Sequence, residues 1–148
     1  MNTDFSQWTY DMSERFMKRS LAYGMFPGYF SADASTGHYF SRPELYERDR
    51  PLFKKYIPLC KTVAQAGWQP LTQATSSVAS IHVERFGTDP QKSYFTVFND
   101  SPVKRSVVIR FRQPYTKFKN LVDGTVVNVA DGSLELILLP EEIVVLEP

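Results

Sequence analysis

The stretch from Ser80 to Pro148 constrains the fold more than any other. It is a tandem of short strand-like runs separated by turn residues. SIHVERF leads into the polar turn GTDPQK, and SYFTVFN leads into DSPVK. RSVVIRFR, QPYTKFKN, LVDG, TVVNVADG, SLELILLP and EEIVVLEP follow. Runs of Val, Ile, Phe and Tyr bounded by Gly, Pro, Asp and Asn predict an antiparallel sandwich. Tyr94, Thr96 and Phe98 alternate with Phe95, Val97 and Asn99, and Val107, Ile109 and Phe111 alternate with Val108, Arg110 and Arg112. Asp123-Gly124 and Asp131-Gly132 read as hairpin turns. LELILL is nearly continuous and suits a strand covered on both faces.

The residues before this stretch read as helical. Residues 4–23 form an amphipathic pattern in which Trp8, Met12, Phe16 and Tyr23 share a stripe, and Gly24 is a natural helix stop. Ser41-Arg-Pro-Glu44 has the spacing of a capping box. Pro51 reads as a fresh helix start, and Pro58 predicts a kink. Leu52, Phe53, Tyr56, Leu59, Cys60, Val63 and Ala64 make a broad apolar face that ends at Gly67. The expected fold class is therefore α+β, mainly β: an antiparallel sandwich of about seven or eight strands after two or three helices. The expected divisions are a helical segment (1–70), a connector (71–79) and a carboxy-terminal sandwich (80–148).

A chain of 148 residues suffices for one domain plus an appendage. It buries roughly 68–70% of its unfolded surface without help from disulfides or metals. The net charge of +1 lacks the basic excess of a nucleic-acid binder. Cys60 is the only cysteine, and His38 and His82 share no ligand spacing, so the sequence predicts no metal site and no cofactor. No apolar run approaches the roughly 20 residues of a membrane helix, and no leader-like segment opens the sequence. The expectation is a cytoplasmic chain without membrane or nucleic-acid partners.

SIHVERFG, SYFTVFNDS, LVDG and DGSLELILLPEEIVVLEP, in that order, resemble the carboxy-terminal β-sandwich of multidomain glycoside hydrolases. RSLAYGMFPGYFS and YFSRPELYERDRPLFKKYIPLCKTVAQAGW are similar to the last segments of the (β/α)8 barrel that precedes that sandwich. A whole barrel takes roughly 250 residues. The resemblance thus implies the tail of a carbohydrate-active enzyme, an accessory portion inactive alone. It offers no matching position for a catalytic carboxylate, and no catalytic residue is assigned.

The acids themselves point to other work. Glu44, Glu47 and Asp49 alternate with Arg42, Arg48 and Arg50, as in a solvated ion-paired face. Asp123 and Asp131 belong to turns. The aromatic share of 14% leaves a second reading open, a stand-alone carbohydrate-binding module. Its candidate platform residues are Tyr29, Tyr39, Trp68 and Tyr115. The expected partners are a carbohydrate, and either the missing catalytic barrel or a second copy docked through the helical segment.

Overall fold

A computed structural model describes residues 2–3, 5–31 and 38–148. Two helices, α1 (Tyr10–Ala22) and α2 (Pro43–Ala66), precede nine antiparallel strands in two sheets. Those strands are β3 (Trp68–Gln69), β4 (Ala74–Ser76), β5 (Ile81–Phe86), β6 (Tyr94–Asn99), β7 (Arg105–Phe111), β8 (Lys117–Asn120), β9 (Val126–Asn128), β10 (Ser133–Leu138) and β11 (Ile143–Glu147). The larger sheet runs β3-β5-β6-β11-β8-β9 and the smaller β10-β7-β4. A separate pair, β1 (Asn2–Thr3) and β2 (Phe30–Ser31), is parallel, with Asn2 opposite Phe30 and Thr3 opposite Ser31. The fold is α+β and mainly β, as the strand pattern leads one to expect.

The larger sheet is a middle layer. On β6, Phe95 and Val97 point into a core shared with Val107, Ile109, Leu134 and Leu138 of the smaller sheet. Phe98 points the other way, into a core with Met17 and Leu21 of α1 and Leu52, Tyr56 and Cys60 of α2. Strand β11 divides likewise: Val144 and Leu146 face the sandwich, and Ile143 and Val145 face the helices. Successive side chains of a strand point to opposite faces, so a sheet covered twice needs apolar residues at consecutive positions. Thr96 is a polar exception on the helical side. It is buried on the helical side and donates to the carbonyl of Ala22 at 2.6 Å, which ties the sheet to the end of α1.

Helix α1 is shorter than the sequence pattern suggests and rotated from it. A 3-10 turn covers Phe5–Gln7, and Thr9 caps the helix by accepting from the amide of Met12. The buried positions are Ser13, Met17, Ser20, Leu21 and Ala22, while Met12 and Tyr23 are exposed. Serines fill the close contacts because their hydroxyls are satisfied, Ser20 by the carbonyl of Phe16 and Ser13 by Asp49. A stripe drawn through large apolar residues misses them by one position, about 100° of helix. The end of α1 follows the expectation: the amide of Met25 bonds the carbonyl of Ser20 and that of Gly24 bonds Leu21, a Schellman closure with Gly24 at φ +65°.

Helix α2 corrects two expectations. Its N-cap is Arg42, so Ser41 lies one residue too early for a capping box and donates to the carbonyl of His38 instead. The helix begins at Pro43 and runs unbroken through Pro51, which therefore does not restart it, and it continues past Pro58 to Ala66. Both prolines are exposed, as are Glu47 and Lys54, whose carbonyls lose their amide partners on the outer side of the helix. The stretch expected as a connector contributes strand β4 against β7, and Trp68–Gln69 pairs with β5. Strand β10 lies at a sheet edge, with Leu134 and Leu138 buried and Glu135 and Ile137 outward, so it is covered on one face only. Asp131-Gly132 forms the expected hairpin turn, both residues at positive φ between the paired Ala130 and Ser133.

Gly24 links the two layers sterically. A Cβ there would stand 2.4 Å from the ring of Phe86. Gly24→Ala is expected to lower stability by about 1–3 kcal/mol, since it adds a positive-φ penalty to a clash. Urea denaturation of the two proteins measures this; an unchanged midpoint would count against the packing described.

Candidate functional site

Asp49 anchors the most connected polar cluster. It is fully buried between α1 and α2, which corrects its placement on a solvated face. Ser13 Oγ and Tyr39 Oη both donate to its Oδ2, the latter at 2.9 Å. Arg48 donates through Nε to Oδ1 at 2.6 Å and through Nη2 to Oδ2 at 3.0 Å. The remaining guanidinium nitrogen of Arg48 donates to the carbonyl of Trp8 at 2.8 Å, and the Trp8 indole donates to Ser13 Oγ at 2.6 Å. Every oxygen of the carboxylate thus has partners, as a buried charge requires. The cluster resembles a nucleophile–acid arrangement only in its residue types. Ser13 is wholly buried, and its proton is committed to the carboxylate. Burial and the hydrogen bond to Asp49 both push the Tyr39 hydroxyl upward, so it stays a donor. The arrangement fits a structural lock.

Several other acids are similarly occupied. Glu47 pairs with Arg50 on the exposed face of α2, and Glu141 pairs with Arg15. Glu142 accepts from the amide of Leu139. Asp123 accepts from the hydroxyl and the amide of Thr125, which hold its carboxyl below the ordinary range. Asp100 lies 2.8 Å from Arg19 and 3.7 Å from His82. Among the described residues, no group of three or more His, Cys, Asp or Glu could hold a metal ion.

The four candidate platform aromatics are not brought together. Tyr29 and Tyr39 stack on each other at 4.2 Å inside the helical core. Tyr115 is buried in the sandwich against Phe95, Phe111 and Phe118. These three have no free face for a sugar. Trp68 is 55% exposed, with its indole donating to Glu84 at 2.7 Å. Other aromatic rings of the helical layer line a recess of about 390 Å³, formed by Phe40, Tyr46, Arg50 and Phe53. Sequence reasoning missed Tyr46 and Arg50, although 46, 50 and 53 have the i, i+4, i+7 spacing of one helix face.

Comparison with known proteins bears on the fold. No family model matches the sequence, and no curated protein matches it. Solved structures do. AmyP, determined in complex with maltose, aligns over 93% of this chain with a TM-score of 0.59 and 14% identity, and the match covers 34% of AmyP. An Anoxybacillus α-amylase of a new glycosyl hydrolase subclass aligns over 68% at TM-score 0.50 and 17% identity, covering 23% of that enzyme. A candidate α-N-acetylgalactosaminidase from Bacillus halodurans C-125 aligns over 96% at 0.53 and 13%, covering 32%. The chain therefore spans about a third or less of the structures it matches. At these identities the likeness is one of fold: this arrangement of helices and sandwich occurs as part of glycosyl hydrolases. No described helix is long and apolar enough to cross a membrane.

Two outcomes follow from the buried groups. Asp49→Ala strands Ser13, Tyr39 and Arg48 and is expected to destabilise by about 3–5 kcal/mol in denaturant titration; a loss under 1 kcal/mol would refute the lock. Burial pushes the Cys60 thiol from 9.0 to about 11. The folded chain keeps a proton that the unfolded chain releases, so this contribution is intact below pH 9 and disappears as pH rises through 11. Near pH 8 a disulfide thiol reagent should leave native Cys60 untouched and titrate it after unfolding.

Proposed function

We propose that the chain is the carboxy-terminal accessory portion of a glycoside hydrolase, closing one side of a catalytic barrel and bracing it with the sandwich, without activity of its own. The observation that carries this reading is the order β1-α1-β2-α2, with β1 and β2 parallel, ahead of an all-antiparallel sandwich. Parallel strands joined through a helix belong to α/β sheets covered on both sides, and a pair of two-residue strands is too small to stand as such a sheet. Two β/α units leading into a sandwich are what the end of a barrel enzyme would supply. The fold neighbours support this, since each is matched over only part of its length.

The alternative, a stand-alone carbohydrate-binding module, retains Trp68 as an exposed ring. The buried Tyr29, Tyr39 and Tyr115 weaken it, because a sugar stacks on an accessible face.

An antibody raised against the 148-residue chain tests the reading in extracts of its source. The expected species is larger than 17.0 kDa by about the mass of a barrel, roughly 250 residues. The isolated chain should hydrolyse none of a panel of α- and β-glycosides. A native species of 17.0 kDa alone, or turnover by the isolated chain, would reject the accessory reading.

A further inference from the structure

The smaller sheet turns one face away from the rest of the molecule. On β7, Val107, Ile109 and Phe111 point into the sandwich core, so Val108 and Arg110 point outward. On β4, Ala74 packs inward and Thr75 is exposed. The register sets Thr75 directly opposite Arg110, a spacing of about 4.5–5.5 Å between Cβ atoms. With Ser76, Ser77 and Val108 these two residues line a recess of about 300 Å³, at the small end of the range for small-molecule sites.

Hydrogen bonds fix the walls of this recess. Just past β4, Ser77 and Val108 bond twice. The amide of Ser77 donates to the carbonyl of Val108 at 3.0 Å, and the amide of Val108 donates to Ser77 Oγ at 2.9 Å. The ladder thus ends on a side chain, and the backbone turns away. Ser76 Oγ holds that turn, donating to the carbonyl of Val78 at 2.9 Å and accepting from its amide at 3.1 Å.

The groups left over are donors. Ser77 Oγ is an acceptor in the ladder, so its own proton is uncommitted. Among the described residues, nothing bonds the Thr75 hydroxyl or pairs with the Arg110 guanidinium. No carboxylate or carboxamide lines the recess. Glu135 of β10 stands opposite Val108 across β7 and forms no ion pair with Arg110. A guanidinium offers a planar fork of N–H donors that matches two oxygens of a carboxylate, phosphate or sulfate. A neutral polyol needs acceptors for its hydroxyl hydrogens, and here only hydroxyls could supply them.

We propose that this recess binds an oxyanion, a phosphate, sulfate or carboxylate group. Arg110 forks two of its oxygens, and the hydroxyls of Thr75 and Ser77 donate to it. Val108 supplies an apolar floor, and the recess leaves room for a small organic body behind the charged group. The site lies on the side of the sandwich away from the helices, so it does not depend on the accessory reading.

NMR titration of the isotope-labelled 148-residue chain at constant ionic strength tests it. Inorganic phosphate, glucose-6-phosphate and glucuronate are the probes, with neutral glucose as the control. At least one anion should shift the Arg110 Nε–H signal and the amides of Ser77 and Val108 along a saturating curve, and glucose should not. The ranking of the three separates a free ion from a group on an organic body, and phosphate from carboxylate. Arg110→Gln should weaken binding about tenfold or more. Glu135→Gln, which removes a negative charge from the same face, should strengthen it. Shifts that never saturate, that spread equally over Lys104, Lys117 and Lys119, that glucose reproduces, or that survive Arg110→Gln would overturn the site. Should Arg110→Gln fail to fold, Thr75→Val takes its place: a several-fold loss of affinity supports the site, and unchanged binding rejects it.

Discussion

Everything in this molecule hangs on a sheet that has no solvent face at its centre. Strands β6 and β11 lie side by side in the larger sheet, paired from Phe95–Leu146 to Phe98–Ile143. Their alternate side chains serve two different cores. A slip of one residue would send Phe95 and Val97 towards the helices and Thr96 and Phe98 into the sandwich, so both cores fix the same register. The helical layer and the sandwich consequently share a structural wall. The helices are better described as the third layer of one body than as a segment appended to it.

Polar groups then fix the layers at a few points. Asn99 and Asn120, both buried, act inside the sandwich. Asn99 donates to the carbonyls of Val103 and Leu139, each at 2.8 Å, and Asn120 accepts from the amides of Val122 and Val145. Between the helices the Asp49 cluster does the same work with charge. Arg15–Glu141 and Arg19–Asp100 cross from α1 to the loops of the sheet, and being exposed they contribute little beyond orientation. Apolar burial supplies the adhesion, and the satisfied polar groups select one arrangement among the many that burial alone would permit.

What was legible in the sequence was whatever repeats over several residues. Alternation in β7, the Asp131-Gly132 turn and the glycine stop at Gly24 all act locally, and each appears where the pattern puts it, whereas β6, whose alternation reads as half-buried, is covered on both faces. What was not legible depends on partners far away in the chain. Aromatic character at Tyr29, Tyr39 and Tyr115 says nothing about which side of a layer they occupy. Asp49 looks like a neighbour of Arg48 and Arg50, and only the approach of Ser13, 36 residues away, makes it a buried lock. Strands of two or three residues, such as β1 to β4, are too short for any period to show. The recess around Phe40 and Phe53 escaped notice because its residues come from a turn and from the side of a helix whose other face is more strongly apolar.

The smaller sheet carries a different consequence. Its edge strand β10 leaves Ile137 and the following Leu139 largely uncovered beside a row of unpaired backbone groups. Such an edge invites lateral addition of another chain, the first step of fibrillar growth. Two features oppose it: Glu135, one of whose faces would bring like charges together in a stacked array, and Pro140, which denies the ladder an amide just past the strand. Colloidal behaviour at high concentration is thus guarded by one carboxylate and one missing hydrogen atom.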